Sequence, residues 1–222
     1  MATTATVPLM HLEDPLAYLP CSRILEYFKG QIVYTQQPAS SLYLIIEGKV
    51  KVSRISNDGQ RTVLDVYRKD EFFGETVFLG KQLMPEEAVA MEHTKLMSWS
   101  LAAVLDIMAR EPKLGVGLLQ LFAQRSVDLG DRVESFSIDN IARRLARSLI
   151  RFSGRLGEER EDGTVQMMPF THEQLAQVVG TSREIVTHYM SQFRRQGYVR
   201  YSRKGISVYR HALQHWLSQP AM

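Results

Sequence analysis

From Gln31 to about Ser100 the apolar positions come in short runs separated by turn residues. The runs "QIVYT", "SLYLII", "KVKVSRI", "TVLDVY" and "KLMSW" are rich in β-branched and aromatic residues, which suit a pleated, half-buried surface. Glu47-Gly48 separates two of them and Asn57-Asp58-Gly59 the next two, so both junctions are expected to be hairpins. A further short strand-like run covers Ala88 to Met91. Several short strands at near-regular spacing predict an antiparallel barrel or roll.

The period changes after "SLAAVLDIMAREP". Pro112 suits the first turn of a helix, where its missing N–H costs nothing. Beyond it Leu119, Phe122, Ser126, Leu129, Val133 and Phe136 recur at intervals of 3, 4, 3, 4 and 3. That spacing is an a/d seam, which predicts either a two-stranded coiled coil between subunits or packing onto the chain's own roll. The helix is too long for its roll to cover, which favours the dimer. Gly130 costs such a helix about 1 kcal/mol relative to Ala and hints at a close approach there. In "SIDNIARRLARSLIRFSG" an apolar stripe runs through Ile138, Ile141, Leu145, Leu149 and Phe152, with Arg143, Arg144, Arg147 and Arg151 elsewhere on the helix. Asp162-Gly163 reads as a hairpin tip.

These patterns give an α+β chain: a loose segment over 1–20, an antiparallel β-roll over 21–112, a dimerisation helix over 113–138 and a winged helix-turn-helix over 139–222. Composition changes this picture in one respect. Of the net charge of +3, residues 1–139 carry 14 Lys/Arg against 18 Asp/Glu, and residues 140–222 carry 13 against 6. A basic third joined to a mildly acidic remainder points the basic part at a polyanion. No apolar run is long enough for a membrane span and no signal peptide opens the chain, so a cytoplasmic protein is expected. The single cysteine, Cys21, excludes an internal disulfide or a cluster needing several thiolates.

The chemistry concentrates in "THEQLAQVVGTSREIVTHYMSQFRRQGYV", residues 171–199. Thr171 with Gln174, and Thr181 with Glu184, each have capping-box spacing, so two helix starts lie ten residues apart. Gly180 supplies the turn, Ala176 leaves room for a close helix crossing, and Leu175, Val179, Val186 and Tyr189 are placed to pack together. This is the helix-turn-helix plan, with the second helix entering a DNA major groove. That helix would present Arg183, Glu184, Thr187 and His188 to base edges, Arg183 suiting guanine, Glu184 cytosine and Thr187 a thymine methyl or a phosphate. His188 could read a purine, meet a phosphate or merely pack. After Gly197, "YVRYSRKGISVY" turns at Lys204-Gly205 into a two-stranded wing. Thr171, Ser182, Arg200, Arg203 and Lys204 are then the candidate phosphate contacts.

The β-roll, the long helix, "THEQLAQVVGTSREIV" and "FFGE" (72–75) together resemble the superfamily of the cyclic-AMP receptor and the fumarate–nitrate reductase regulator. The likeness spans roughly residues 20 to 212. It implies a homodimer on a palindromic promoter site, contacting RNA polymerase and usually activating transcription. It also implies an effector pocket at Gly74, Glu75, Thr76, Glu86, Glu87, Arg125 and Leu129. In the cyclic-AMP branch an Arg-Ser pair holds the phosphate, and Glu86-Glu87 corresponds to it here. A Thr-Ser pair on the long helix is replaced by Leu129-Gly130. Both departures read against cyclic AMP, leaving another small-molecule effector, or none, as the expectation.

Other sensors are constrained in the same way. Cys21 alone cannot supply an iron–sulfur site, and His93 alone in the roll is a poor haem ligand. Arg125 and Arg132 could meet a dicarboxylate, although Arg132 has Asp128 one turn away. No catalytic motif stands out, so no enzyme and no cofactor or metal is expected. Gly74, Gly80 and Lys81 lack P-loop spacing, and "HEQLA" lacks the second histidine of a zinc site. His211 and His215 have metal spacing without a third ligand. The remaining alternatives are an interaction or sensor module that binds protein rather than DNA, and a regulator acting by abundance alone.

Overall fold

A computed structural model describes residues 12–35, 39–79 and 85–219. Gly80 and Lys81, part of the phosphate-loop comparison, and the first eleven residues of the segment expected to be loose lie outside them. From residue 12 to 20 that segment is not loose. Glu13 N–H donates to Gln120 Oε1 at 2.9 Å and Tyr18 Oη donates to Glu13 Oε2 at 2.6 Å. Gly117 makes the approach possible, because a Cβ there would stand 3.0 Å from Glu13 O.

The roll is two four-stranded antiparallel sheets. One has the order β1 (Ile24–Tyr27), β8 (Thr94–Ser100), β3 (Ser41–Glu47), β6 (Phe72–Phe73). The other runs β2 (Ile32–Thr35), β7 (Glu86–Ala90), β4 (Lys49–Ile55), β5 (Arg61–Arg68). β3 shows why both of its faces are apolar. Tyr43 and Ile45 point into the space between the sheets, whereas Leu42 and Leu44 join the cluster beneath the helices. Those helices are α1 (Leu101–Arg110), capped by Ser100 Oγ accepting from Ala103 N–H, and the 27-residue α2 (Pro112–Ile138). β1, β6 and α1 were not foreseen; "ILEY" and "FF" are too short to carry a period of their own.

Asn57-Asp58-Gly59 is the expected hairpin between β4 and β5. Glu47-Gly48 is not a hairpin, because β3 and β4 belong to different sheets. Gly48 has φ +88°, and a Cβ there would stand 2.4 Å from His93 O. The chain therefore crosses between layers at that glycine, and a two-residue junction alone cannot tell a hairpin from such a corner. Gly130 meets no close approach within the chain, as nothing lies within 4 Å of where its Cβ would be.

The core of the C-terminal domain is built on α3 (Ile141–Leu156), with Leu145, Leu149 and Phe152 fully buried. Ile138 departs from the expected stripe: it ends α2 and is 74% exposed. Asn140 caps α3 by accepting from Arg143 N–H, and Asp139 between the helices accepts from Arg143, Arg147 and Ser135. Burial pushes the Asp139 carboxyl up, but the bonds from Arg147, Ser135 and Arg143 outweigh it and hold its pKa below the usual range. β9 (Glu158–Glu159) and β10 (Val165–Met167) follow, turning at Asp162-Gly163. The helix-turn-helix is α4 (His172–Val179) and α5 (Arg183–Arg195), the wing β11 (Val199–Ser202) and β12 (Gly205–Val208), and α6 (Arg210–Ser218) closes the domain.

Candidate DNA interface and roll chamber

Local chemistry sets the helix-turn-helix. Thr171 and Gln174 form the reciprocal capping box at the start of α4. Gly180 takes φ +70°, which only glycine adopts cheaply, and returns its N–H to Ala176 O. The second box does not form. α5 begins one residue later than expected, and Ser182 rather than Thr181 is its N-cap, accepting from Ile185 N–H. Ser182 is thus engaged in holding the recognition helix, and Glu184 gains from the same turn. Its own backbone N–H and Ser182 stabilise the carboxylate and lower its pKa.

α5 is two-faced. Val186, Met190 and Phe193 are fully buried on one side, while Arg183, Glu184, Thr187 and His188 are exposed on the other. Among the described residues neither Arg183 nor Glu184 makes an ion pair. Thr171 is exposed at the start of α4, and Arg203 and Lys204 are exposed at the wing tip. Arg200 leans on the Tyr209 ring at 5.2 Å and lies 3.8 Å from Asp162. His188 stands edge-on to Tyr189 with centroids 5.2 Å apart.

One residue at this surface escaped the sequence reading. His172 Nδ1 lies 2.8 Å from Thr187 Oγ1, and its ring meets Tyr201 of the wing edge-on at 5.6 Å. Burial and then the Arg183 charge lower its pKa. A histidine just inside the capping box was the available signal.

The expected dimer seam divides. Phe122 packs on the roll, edge-on to Phe78 at 6.1 Å. Phe136 lies under Arg144 and against the turn, 3.0 Å from where a Gly180 Cβ would be. Leu119, Leu129 and Val133 are 67%, 51% and 65% exposed, and Ser126 is exposed too. The long helix therefore touches the roll near its middle, touches the helix-turn-helix at its end, and leaves apolar side chains bare.

In the roll, Gly74 adopts φ +86° and fits 2.6 Å from Ser41 O where a Cβ would stand. Thr76 Oγ1 accepts from Ala39 N–H at 3.2 Å. Arg125 reaches in from α2 to Glu75 at 3.1 Å, lies over the Tyr67 ring at 4.8 Å, and donates to Phe72 O. Leu129 does not join this group. Glu86 and Glu87 are buried, and each meets an arginine that the sequence reading overlooked: Arg54 pairs with Glu86 at 3.0 Å and Arg61 pairs with Glu87. As neighbours on one strand they point to opposite faces. Glu86 is on the chamber side, where its charge and that of Glu75 add to burial in raising the Tyr34 pKa. Tyr34, Tyr43, Phe73 and Tyr67 stack there, with neighbouring centroids 5.0 to 5.8 Å apart.

The two halves meet along β5. Val63 and Val66 are buried in the same cluster as Leu175, Val178 and Val179 of α4. Beside them Asp65 accepts from Arg155 at 2.7 Å and from Arg151 at 3.5 Å, and Arg155 also reaches Glu71 at 3.0 Å. Burial lowers the Arg151 pKa to about 10 despite Asp65, while Asp65 and Glu71 more than offset burial at Arg155 and raise its pKa. Arg132 donates to Leu64 and Val63 carbonyls, so it braces β5 rather than pairing with Asp128.

A two-faced helix set behind a capped turn, with a basic wing, defines a winged helix-turn-helix transcriptional regulator carrying a β-roll. Residues 24–111 match the cyclic nucleotide-binding domain and residues 143–216 the Crp-like helix-turn-helix domain. The chain is 26% identical to a CRP-like cAMP-activated global transcriptional regulator of Mycobacterium tuberculosis over 83% of both chains. It is 24% identical to a global nitrogen regulator of Synechococcus elongatus, over 84% of this chain and 86% of that one. FixK2 from Bradyrhizobium japonicum shares the fold, with a TM-score of 0.74 at 19% identity over 91% of this chain and all of that one. With both domains in the family's order, the chain belongs to the superfamily of the cyclic-AMP receptor and the fumarate–nitrate reductase regulator. Among the described residues no helix is long and apolar enough to cross a membrane.

Proposed function

We propose that two copies of this chain pair through α2 and together read a palindromic promoter site in the bacterial cytoplasm, contacting RNA polymerase and activating transcription. The observation that carries this reading is the exposed Arg183, Glu184, Thr187 and His188 face on a helix whose opposite face is buried. The bare Leu119, Leu129 and Val133 support the pairing, since a second copy would remove that apolar surface from water. Paired recognition helices would meet successive major grooves about 34 Å apart. In a gel-shift and footprint assay, Arg183→Ala should lose about 1–3 kcal/mol at one base pair of each half-site and still dimerise. An unchanged footprint would remove Arg183 from its role. Val133→Asp should instead abolish the dimer in analytical ultracentrifugation.

Cyclic AMP is not the effector on this reading. By the resemblance Glu86-Glu87 corresponds to the pair that holds the phosphate in the cyclic-AMP branch; here Arg54 pairs with Glu86, whose charge acts on Tyr34 of the aromatic stack. A carboxylate there disfavours a cyclic phosphate by like-charge repulsion. Saturating cyclic AMP should leave promoter affinity unchanged; a tenfold gain would overturn the reading. The same stack favours a second possibility, a roll that takes no ligand and a regulator governed by its abundance.

A further inference from the structure

Thr187 is assigned to base reading, yet its hydroxyl is already occupied. Oγ1 lies 2.8 Å from Arg183 O, four residues back on α5, and 2.8 Å from His172 Nδ1 on α4. A hydroxyl has one proton. If that proton went to the imidazole, Oγ1 would face the Arg183 carbonyl oxygen with nothing between them. Both contacts are satisfied only when Thr187 donates to Arg183 O and accepts from a protonated His172 Nδ1. Either neutral or charged, the imidazole can supply that proton. The ring itself is braced by Tyr201, over which Arg194 lies at 5.2 Å.

This leaves the threonine with no proton to offer a base and one crowded lone pair. What remains of the side chain for an exposed encounter is its methyl group. A β-branched side chain held by two hydrogen bonds cannot rotate to exchange methyl for hydroxyl without breaking both. We propose that His172 determines specificity at the DNA interface by locking Thr187 so that its methyl group faces the base edges and selects a thymine 5-methyl. The inference rests on α5 being the recognition helix. Thymine is the one base with a methyl in the major groove, so the selection has a defined chemical target.

The test starts from the half-site that the protein selects out of random DNA, with each thymine then replaced singly by deoxyuridine, which removes only the 5-methyl. Fluorescence anisotropy should show a loss of about fivefold in affinity at one position per half-site, about 1 kcal/mol. Thr187→Val keeps the methyl and should keep that thymine-to-uracil ratio, whereas Thr187→Ser should bring it to one. His172→Ala should reduce the ratio even where overall affinity survives, and His172→Asn, which places an amide N–H near the Nδ1 position, should restore it. A ratio of one at every thymine in the wild-type protein, or a ratio unchanged by Thr187→Ser, overturns the proposal. If Arg183→Ala still shifts the footprint in that case, the recognition helix stands and only the methyl selection falls. If no sequence is selected at all, both fall together.

Discussion

The roll chamber and the exposed face of α5 with the wing tip use charge in opposite ways. In the roll Glu75, Glu86 and Glu87 each meet an arginine, from α2, β4 and β5 respectively, and no charge of that group is left free to meet a phosphate. On α5 and the wing tip Arg183, Arg203 and Lys204 are exposed and make no ion pair among the described residues. Burying a carboxylate without a partner costs several kcal/mol, so a paired buried carboxylate is part of the scaffold. A cation held in water at the end of a rigid element costs nothing to keep, and its Coulomb energy is still available to a partner. The difference separates charge that the fold needs from charge left free at the surface.

The sharpest way to break the comparison is to remove the support behind the presented charges. Phe193 is fully buried on α5 and packs edge-on to Trp216 with centroids 5.3 Å apart. Phe193→Ala should cost about 3–5 kcal/mol, from lost transfer energy and the cavity left behind. Denaturant unfolding followed by tryptophan fluorescence would report it, through Trp216 in this domain and Trp99 in the roll. The Trp216 transition should shift strongly and the Trp99 transition less. Equal shifts would mean that the two halves unfold as one unit.

How far they do is set along β5, the one place where the contrast softens. There a roll carboxylate, Asp65, is paired with arginines of the DNA domain rather than of the roll. Asp65→Ala leaves Arg151 without that partner and Arg155 with Glu71 and the Val66 carbonyl, at an expected cost of about 1–3 kcal/mol. A double-mutant cycle with Arg155→Ala should return a coupling of about 1 kcal/mol, since the two side chains are about three-quarters buried. Hydrogen exchange in β5 and α4 should rise together in the single variants. Because the recognition face is exposed in this docked arrangement, loosening it should also weaken promoter binding. A coupling near zero would reduce the contact to the apolar seat of Val63 and Val66.

The same contrast explains what the sequence could disclose. The helix-turn-helix is specified locally: Thr171, Gln174 and Gly180 act within a few residues, so their spacing alone locates two helices and the turn. The error at Thr181 was a shift of one residue, because Ser182 offers the same capping oxygen. The longer strands were readable by composition, but their partners were not. Glu86 and Arg54 are 32 residues apart, and only the β4–β7 register sets them opposite each other. Arg155 and Asp65 are 90 residues apart and belong to different domains. His172 was legible as a residue and not as a role, since its role depends on where α5 crosses α4. The seam showed its period, but the period does not say that Phe136 is drawn aside to Gly180.

The smallest expected effect tests whether the DNA-domain surface carries any stability of its own. His172 has a folded pKa below its ordinary value, from burial first and the Arg183 charge second. The folded state therefore binds this proton less readily than the unfolded chain does. Stability from the neutral ring is fully present above the unfolded value of about 6.5 and is lost as the pH falls from there through the folded value. Between pH 7.5 and pH 5.5 the DNA domain should lose stability slightly, and His172→Asn, which has no proton to take up, should lack that component. Arg183→Ala removes the second cause and should flatten the dependence only in part, leaving the contribution of burial. If Arg183→Ala removed the whole dependence, charge rather than packing under Tyr201 would set the state of His172, and the separation between presented charge and scaffold would fail at its closest point of contact.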